Sequence, residues 1–249
     1  MSRRPFLLAH ADGDREYLRA PGEELHTDLG VLTVPTDASP GDRVETHLGE
    51  PFVVRELRGP DLFAHLDRTG APMMPRDVGL VVGHTGACAG DRVLDAGTGT
   101  GILAVSLGRL GADVVTYEVD PEFAETAREN VRVAVDGDRV DVRTGDVRDA
   151  LEDPNALEDP NAFDLVTLDT ADAPAVVRRA PELLVPGGFV AVYSPFVEGT
   201  REAAAAARDA GMEPTTYETI QREMEFSERG SRPSTAGVGH TGYLTFARR

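Results

Sequence analysis

The sequence contains no lysine and no tryptophan, and Cys88 is its only cysteine. A lone thiol excludes disulfide frameworks and cysteine-based metal sites. His26, His47, His65, His84 and His240 are scattered without metal-ligand spacing, so no metal is expected. No stretch approaches the roughly 18 uncharged apolar residues that a membrane span needs. The opening residues MSRRPFLLAH carry no apolar core long enough for a secretory signal. A soluble, cytoplasmic protein is therefore expected. Positive charge is also scarce: 25 basic residues, all arginine, stand against 43 acids, for a net charge of −18. That balance argues against a broad basic face for nucleic acid. The argument weakens in concentrated salt, where counterion release contributes little to binding. The dense carboxylates themselves fit a halophilic protein kept hydrated in a high-salt cytoplasm. A GC-rich genome and a well-solvated surface account for them equally well.

What is present divides the 249 residues into two styles. Residues 1–58 read as short strands near 15–19, 24–34, 43–47 and 52–57, separated by breaks such as 20-APGEE-24 and 35-PTDASPGD-42. A small β-rich N-terminal domain is expected over 1–58. Helical stretches near 61–66 and 76–88 follow, and from Asp91 strands and helices alternate. Strands are expected at 92–96, 113–118, 139–143, 163–168 and 189–193, with helices at 102–110, 121–135, 174–184 and 202–210. Late strands at 215–226 and 243–247 would complete the sheet. This alternation predicts an α/β domain over 59–249: a mostly parallel, seven-stranded, Rossmann-like sheet with helices on both faces. The hexapeptide LEDPNA occurs twice in tandem over 151–162. Two copies are too few for a solenoid, and the repeat reads as a duplication in a polar surface loop.

The strongest local motif is 93-VLDAGTGTGILAVSLG-108. A strand runs through Asp95 into Gly97, Thr98, Gly99, Thr100 and Gly101, and then into a helix. Glycines let the backbone turn sharply and approach a ligand, and a helix N-terminus offers unpaired N–H groups. A dinucleotide site would want its third glycine where Ile102 stands. Glu118 closes the next strand 21 residues past Gly97, where an acid can accept from ribose hydroxyls. Asp120 reads as a helix N-cap ahead of Pro121. Asp146 follows the third strand in 144-TGDVRDAL-151. The apolar run 163-FDLVTL-168 ends on Asp169, and Asp172 three residues on reads as a helix N-cap before Pro174.

The G-x-G-x-G loop resembles motif I of class I S-adenosylmethionine-dependent methyltransferases. The chain as a whole is similar to the tRNA (adenine-N1)-methyltransferases that modify position 58 and, in archaea, also 57. The segments 26-HTDLG-30, 72-PMMPRDVGLVV-82, 232-RP-233 and 240-HTGYLTFAR-248 match that family's landmarks in order. The resemblance implies S-adenosylmethionine as cofactor, held by Asp95, Gly97, Thr98, Gly99, Thr100, Gly101, Glu118, Asp146 and Asp169, with Asp146 near the adenine. It implies Asp169 as the catalytic acid, tRNA as substrate and a homotetramer. The chain departs from the family at 169-DTADAP-174, at Met74, at Phe123 and at Gly199. These departures concern base stacking and substrate detail, not the loop or Asp169. The competing expectations are methylation of a protein isoaspartate or a small molecule, and a non-catalytic RNA-binding subunit. A dehydrogenase is disfavoured by Ile102.

Overall fold

The computed structural model describes residues 4–153, 162–237 and 239–249. Most of the LEDPNA repeat lies outside these residues. The chain forms two compact units, one running up to Asp67 and taking in Arg132–Ala134, the other comprising Arg68–Val131 and Val135–Arg249.

The first unit contains strands β1 (Phe6–His10), β2 (Glu16–Arg19), β3 (Glu24–Thr27), β4 (Gly30–Thr33), β5 (Arg43–Glu45) and β6 (Pro51–Arg55), then helix α1 (Gly59–His65). Its antiparallel sheet has the order β2-β1-β6-β5, and β3 pairs with β4 in a hairpin. Leu8, Leu25, Leu32, Val34, Phe52 and Val54 form its core. The region 24–34, expected as one strand, is this hairpin. The Thr27 hydroxyl donates to the Gly30 carbonyl at 3.1 Å and accepts from the Leu29 N–H. Gly30 has a φ of +108°, which a side chain would resist. The 26-HTDLG-30 motif is thus a turn signal. Strand β1 went unpredicted because five apolar-rich residues carry too little period to read.

The second unit contains α2 (Pro75–Thr85), β7 (Arg92–Ala96), α3 (Ile102–Leu110), β8 (Asp113–Glu118), α4 (Pro121–Ala134), β9 (Val140–Thr144), α5 (Val147–Glu152), β10 (Phe163–Leu168), α6 (Ala173–Leu183), β11 (Leu184–Ser194), α7 (Val197–Asp209), β12 (Thr215–Glu218), β13 (Met224–Ser227), β14 (Gly230–Pro233) and β15 (Tyr243–Arg248). Its seven-stranded sheet runs β12-β15-β11-β10-β7-β8-β9. β7 to β11 pair in parallel, and β15 runs antiparallel to both β11 and β12. The central strands are buried along almost their whole length, as a sheet covered on both faces requires. Leu94, Val166, Leu168, Val176, Val177 and Leu183 pack together in its core. Each such side chain stabilises the fold by about 1.5–3 kcal/mol on burial. Three local expectations need correction. The region 215–226 is two strands, β12 and β13, and β13 pairs with β14 in its own hairpin. Helix α7 starts at Val197, not at 202. The short helix α5 was not foreseen.

Strand order fixes where a ligand can sit. β7 is followed in sequence by β8 on one side, while β10 lies on its other side. In open α/β sheets the crevice forms at such a switch point, outside the carboxyl ends of the strands. The glycine loop leaves β7 there, and Asp169 leaves β10 beside it.

Candidate active site

The loop after β7 and the exit of β10 are locked together. The Asp169 N–H donates to the Ala96 carbonyl at 2.8 Å. A Cβ on Gly97 would lie 2.0 Å from the Asp169 carbonyl oxygen, and Gly97 has a φ of +86°. Only glycine fits there. The Gly97 N–H donates to the Tyr117 carbonyl at 3.0 Å, and Gly101 closes the turn onto Thr98 at 2.7 Å. Gly101 then starts α3 in the left-handed region. The buried Asn130 amide on α4 donates to the Thr100 carbonyl at 2.8 Å and pins the loop from behind.

Within the loop, side chains and backbone face opposite ways. Thr98 and Thr100 are buried, while Gly97 and Gly99 keep part of their surface open. A Cβ on Gly99 would meet nothing within 4 Å, so there is free space over the loop backbone.

Asp95 sits below the loop, inside the sheet. Register places it between Thr116 on β8 and Thr167 on β10. Its carboxylate accepts from the Thr116 hydroxyl at 2.6 Å and from the Thr167 hydroxyl. Thr116 has only one proton to donate, so the Thr98 hydroxyl, 2.5 Å away, donates to Thr116. The result is a buried chain, Thr98–Thr116–Asp95–Thr167, tying the loop to three strands. Burial pushes the Asp95 carboxyl up, the two hydroxyls oppose this, and the nearby Glu118 charge adds to it. Asp95, expected to hold cofactor, thus braces the loop from within the sheet.

Glu118 closes β8 and is buried. One carboxylate oxygen accepts from the Gly99 N–H at 2.9 Å and the other from the Asp120 N–H at 3.0 Å. A carboxylate has about four acceptor positions, so each oxygen keeps capacity for a hydroxyl donor. Asp120 caps α4 as expected, accepting from the Glu122 and Phe123 N–H groups.

Asp146 is the N-cap of α5. It accepts from the Arg148 backbone at 2.8 Å and from its guanidinium at 2.5 Å, and this pairing holds its carboxyl below the usual range. Arg148 reaches on to Asp172 at 2.9 Å. Asp172 therefore occupies the N-cap position of α6 without capping it, since no backbone N–H bonds to its side chain. Its charge serves Arg148 instead.

Asp169 opens onto the cleft. Enough protein surrounds its carboxyl that desolvation, reinforced by the charges of Asp95 and Glu118, pushes its pKa up to about 7. A cavity of about 530 Å³ extends from Asp169 over the ends of β10 and β11 and the start of α7. Such a volume suits a small planar group.

A second network beside Asp169 was not legible beforehand. The Tyr193 hydroxyl donates to the Thr241 carbonyl at 2.6 Å, and the Thr241 hydroxyl donates to Asp77 at 3.0 Å. Arg76 donates to the Thr241 hydroxyl oxygen at 3.0 Å. A Cβ on Gly242 would lie 2.6 Å from the Tyr193 ring, which explains the glycine of 240-HTG-242. Burial and the Asp169 charge push the Tyr193 phenol up, so it stays a neutral donor. The signal for this network was the HTG motif, which reads only as a turn until β15 is paired to β11.

The loop backbone with space above it and a strand-end acid with spare acceptors fit S-adenosylmethionine, and the fold and site define a class I S-adenosylmethionine-dependent methyltransferase. Residues 93–188 match the general methyltransferase domain family. The chain is 33% identical to the tRNA (adenine(57)-N(1)/adenine(58)-N(1))-methyltransferase TrmI of Methanocaldococcus jannaschii, over 97% of this chain and 94% of that protein. It belongs to the TrmI family of tRNA (adenine-N1)-methyltransferases. The fold is shared with the tRNA (m1A58) methyltransferase TrmI of Aquifex aeolicus, at a TM-score of 0.75 and 21% identity over 100% of this chain and 98% of that one. A Thermotoga maritima S-adenosylmethionine-dependent O-methyltransferase superposes with a TM-score of 0.80 and 23% identity, over 100% of this chain and 94% of that one.

Proposed function

We propose that this enzyme methylates N1 of adenine in the T-loop of tRNA, at position 58, with S-adenosylmethionine as donor. The observation that carries this reading is Asp169: its backbone is packed against Gly97 and bonded to Ala96, and its side chain lines the adjoining cavity. The cofactor supplies an electrophilic methyl group on a cationic sulfur. Gly97, Thr98, Gly99, Thr100 and Gly101 form its cradle, with Asp95 bracing them from inside the sheet. Glu118 accepts from ribose hydroxyls. Asp146, held rigid by Arg148, lines the adenine side.

The transfer needs no general base. The N1 lone pair forms the new bond to carbon, the carbon–sulfur pair leaves with sulfur, and the positive charge passes to the purine. Positioning and electrostatics carry such an in-line step. An ionised Asp169 accepts from the N6 amino group, which turns N1 towards the methyl, and balances the charge that arrives on the ring. The target base lies inside the folded tRNA elbow and has to be extruded, at a cost of about a few kcal/mol.

The β-rich unit is read as a small N-terminal domain preceding the methyltransferase domain, and the assembly as a cytoplasmic homotetramer. The test of the activity is incubation with labelled S-adenosylmethionine and unmodified tRNA at high salt, followed by nucleoside mapping. Radiolabelled 1-methyladenosine at 58 is the expected product, and the map also shows whether 57 is modified. Its absence where the protein is folded would overturn the reading. The halophilic reading rests on the net charge of −18. It predicts a higher melting temperature in molar KCl than at low salt, and greater stability at low salt would sink it.

A further inference from the structure

The cavity beside Asp169 contains a feature that neither the glycine loop nor the acid explains. Phe196 lines it and is 70% exposed. Its main chain is firmly placed. The Phe196 carbonyl accepts from the Ser194 hydroxyl at 2.9 Å, the Thr200 hydroxyl at 3.1 Å and the Thr200 N–H at 3.2 Å. Gly199 makes this arrangement possible, because a Cβ there would lie 2.6 Å from the Ser194 hydroxyl oxygen. The backbone at the start of α7 is therefore fixed, while the ring it presents stays outside the core. Among the described residues the ring stacks on no other aromatic.

A phenylalanine ring held open at a cavity mouth offers an apolar π-face to whatever enters the cavity. The remaining lining says which occupant. Pro174 and Pro195 supply apolar surface, and Asp169, Glu198 and Glu202 supply carboxylates. Glu198 and Glu202 are four residues apart and share one face of α7. Among the described residues no arginine lines the cavity. Such a lining accepts hydrogen bonds and favours positive charge, so it rejects a phosphate or an acceptor-edged ring. A planar ring with an exocyclic amino group fits it, and fits better once the ring turns cationic.

We propose that Phe196 is the stacking platform for the extruded adenine, with Glu198 and Glu202 forming an acidic wall beside it. This rests on the adenine-N1 reading and deepens it, assigning acceptor recognition to the segment after β11. Every base has a π-face, so the ring supplies affinity, and the carboxylates supply preference for an amino-bearing edge.

The test is steady-state methylation of unmodified tRNA by the full-length protein and by Phe196→Ala, Phe196→Leu and Phe196→Tyr, with S-adenosylmethionine affinity measured separately by calorimetry. Phe196→Ala should lower kcat/KM for tRNA by roughly 10- to 100-fold, the loss expected for one base–aromatic stack. Phe196→Tyr should stay close to wild type, and Phe196→Leu should behave like alanine, since bulk without a π-face does not stack. Cofactor affinity should not change. Full activity in Phe196→Ala, full rescue by Phe196→Leu, or lost cofactor binding in the alanine variant would each overturn the assignment. Absence of 1-methyladenosine with the wild-type protein would instead overturn the adenine-N1 reading beneath it.

Discussion

Replacing Asp169 by asparagine removes a charge while keeping the shape of the side chain, and its effect on stability follows from the site. The folded-state pKa is pushed from 3.8 to about 7 by burial and by the Asp95 and Glu118 charges. Below pH 4 the carboxyl is protonated in both folded and unfolded chains, and it contributes no difference. As pH rises from 4 to 7 the unfolded chain loses this proton and the folded chain keeps it, so folding becomes steadily less favourable. Above pH 7 the whole deficit is present. Unscreened, a rise of that size would correspond to about 4 kcal/mol. Asp169 is open to the cleft, so water screens it, and about 1–2 kcal/mol is the realistic figure. The asparagine side chain mimics the protonated acid at every pH. The Asp169→Asn variant should therefore melt roughly 2–8 °C above wild type at pH 8, using the 2–4 °C per kcal/mol typical of this chain length. The gap should close below pH 4. Thermal melts followed by circular dichroism across pH 4 to 8 measure it. Equal melting temperatures at pH 8, or a gap that widens in acid, would refute the reasoning. The same variant should also lose methyl transfer.

Cofactor charge offers a second handle on the same group. Asp169 should release a proton when S-adenosylmethionine binds near pH 7, and release less with the uncharged S-adenosylhomocysteine; calorimetry in buffers of different ionisation heat counts the protons. Gly97→Ala should destabilise by more than about 4 kcal/mol, because both clashing atoms belong to backbone. Gly99→Ala meets open space and should cost only about 1–2 kcal/mol for its left-handed φ, so urea melts of the pair separate packing from strain. Thr167→Val removes one donor from the buried Asp95 and should cost about 1–3 kcal/mol in the same assay.

The parts of the site readable from sequence are those whose signal is local. The glycine loop, the Asp120 cap and the strand-end acids Glu118 and Asp169 all declare themselves within a few residues. Thr116 and Thr167 do not. Each looks like an ordinary β-branched strand residue, and only parallel register brings both to Asp95. Asn130 is hidden for the same reason, on a helix 30 residues from the carbonyl it holds. Asp172 misled because its position is that of a cap, and Arg148, in the first turn of α5, claims its charge. In the N-terminal unit, the 24–34 hairpin was missed because Thr27 and Asp28 do not break an apolar alternation as strongly as Gly-rich turns do.

The contact between Gly97 and the Asp169 backbone has an evolutionary reading. Neither loop can shift without disturbing the other, so the proposed cradle of the methyl donor and the proposed acceptor-side acid move as one module. Descendants that change substrate have to leave that module intact. Their freedom lies across the cavity, between Ser194 and Glu202, the segment proposed to meet the acceptor. Divergence in this fold should therefore collect after β11, and that segment is the place to graft a new acceptor preference onto an unchanged donor site.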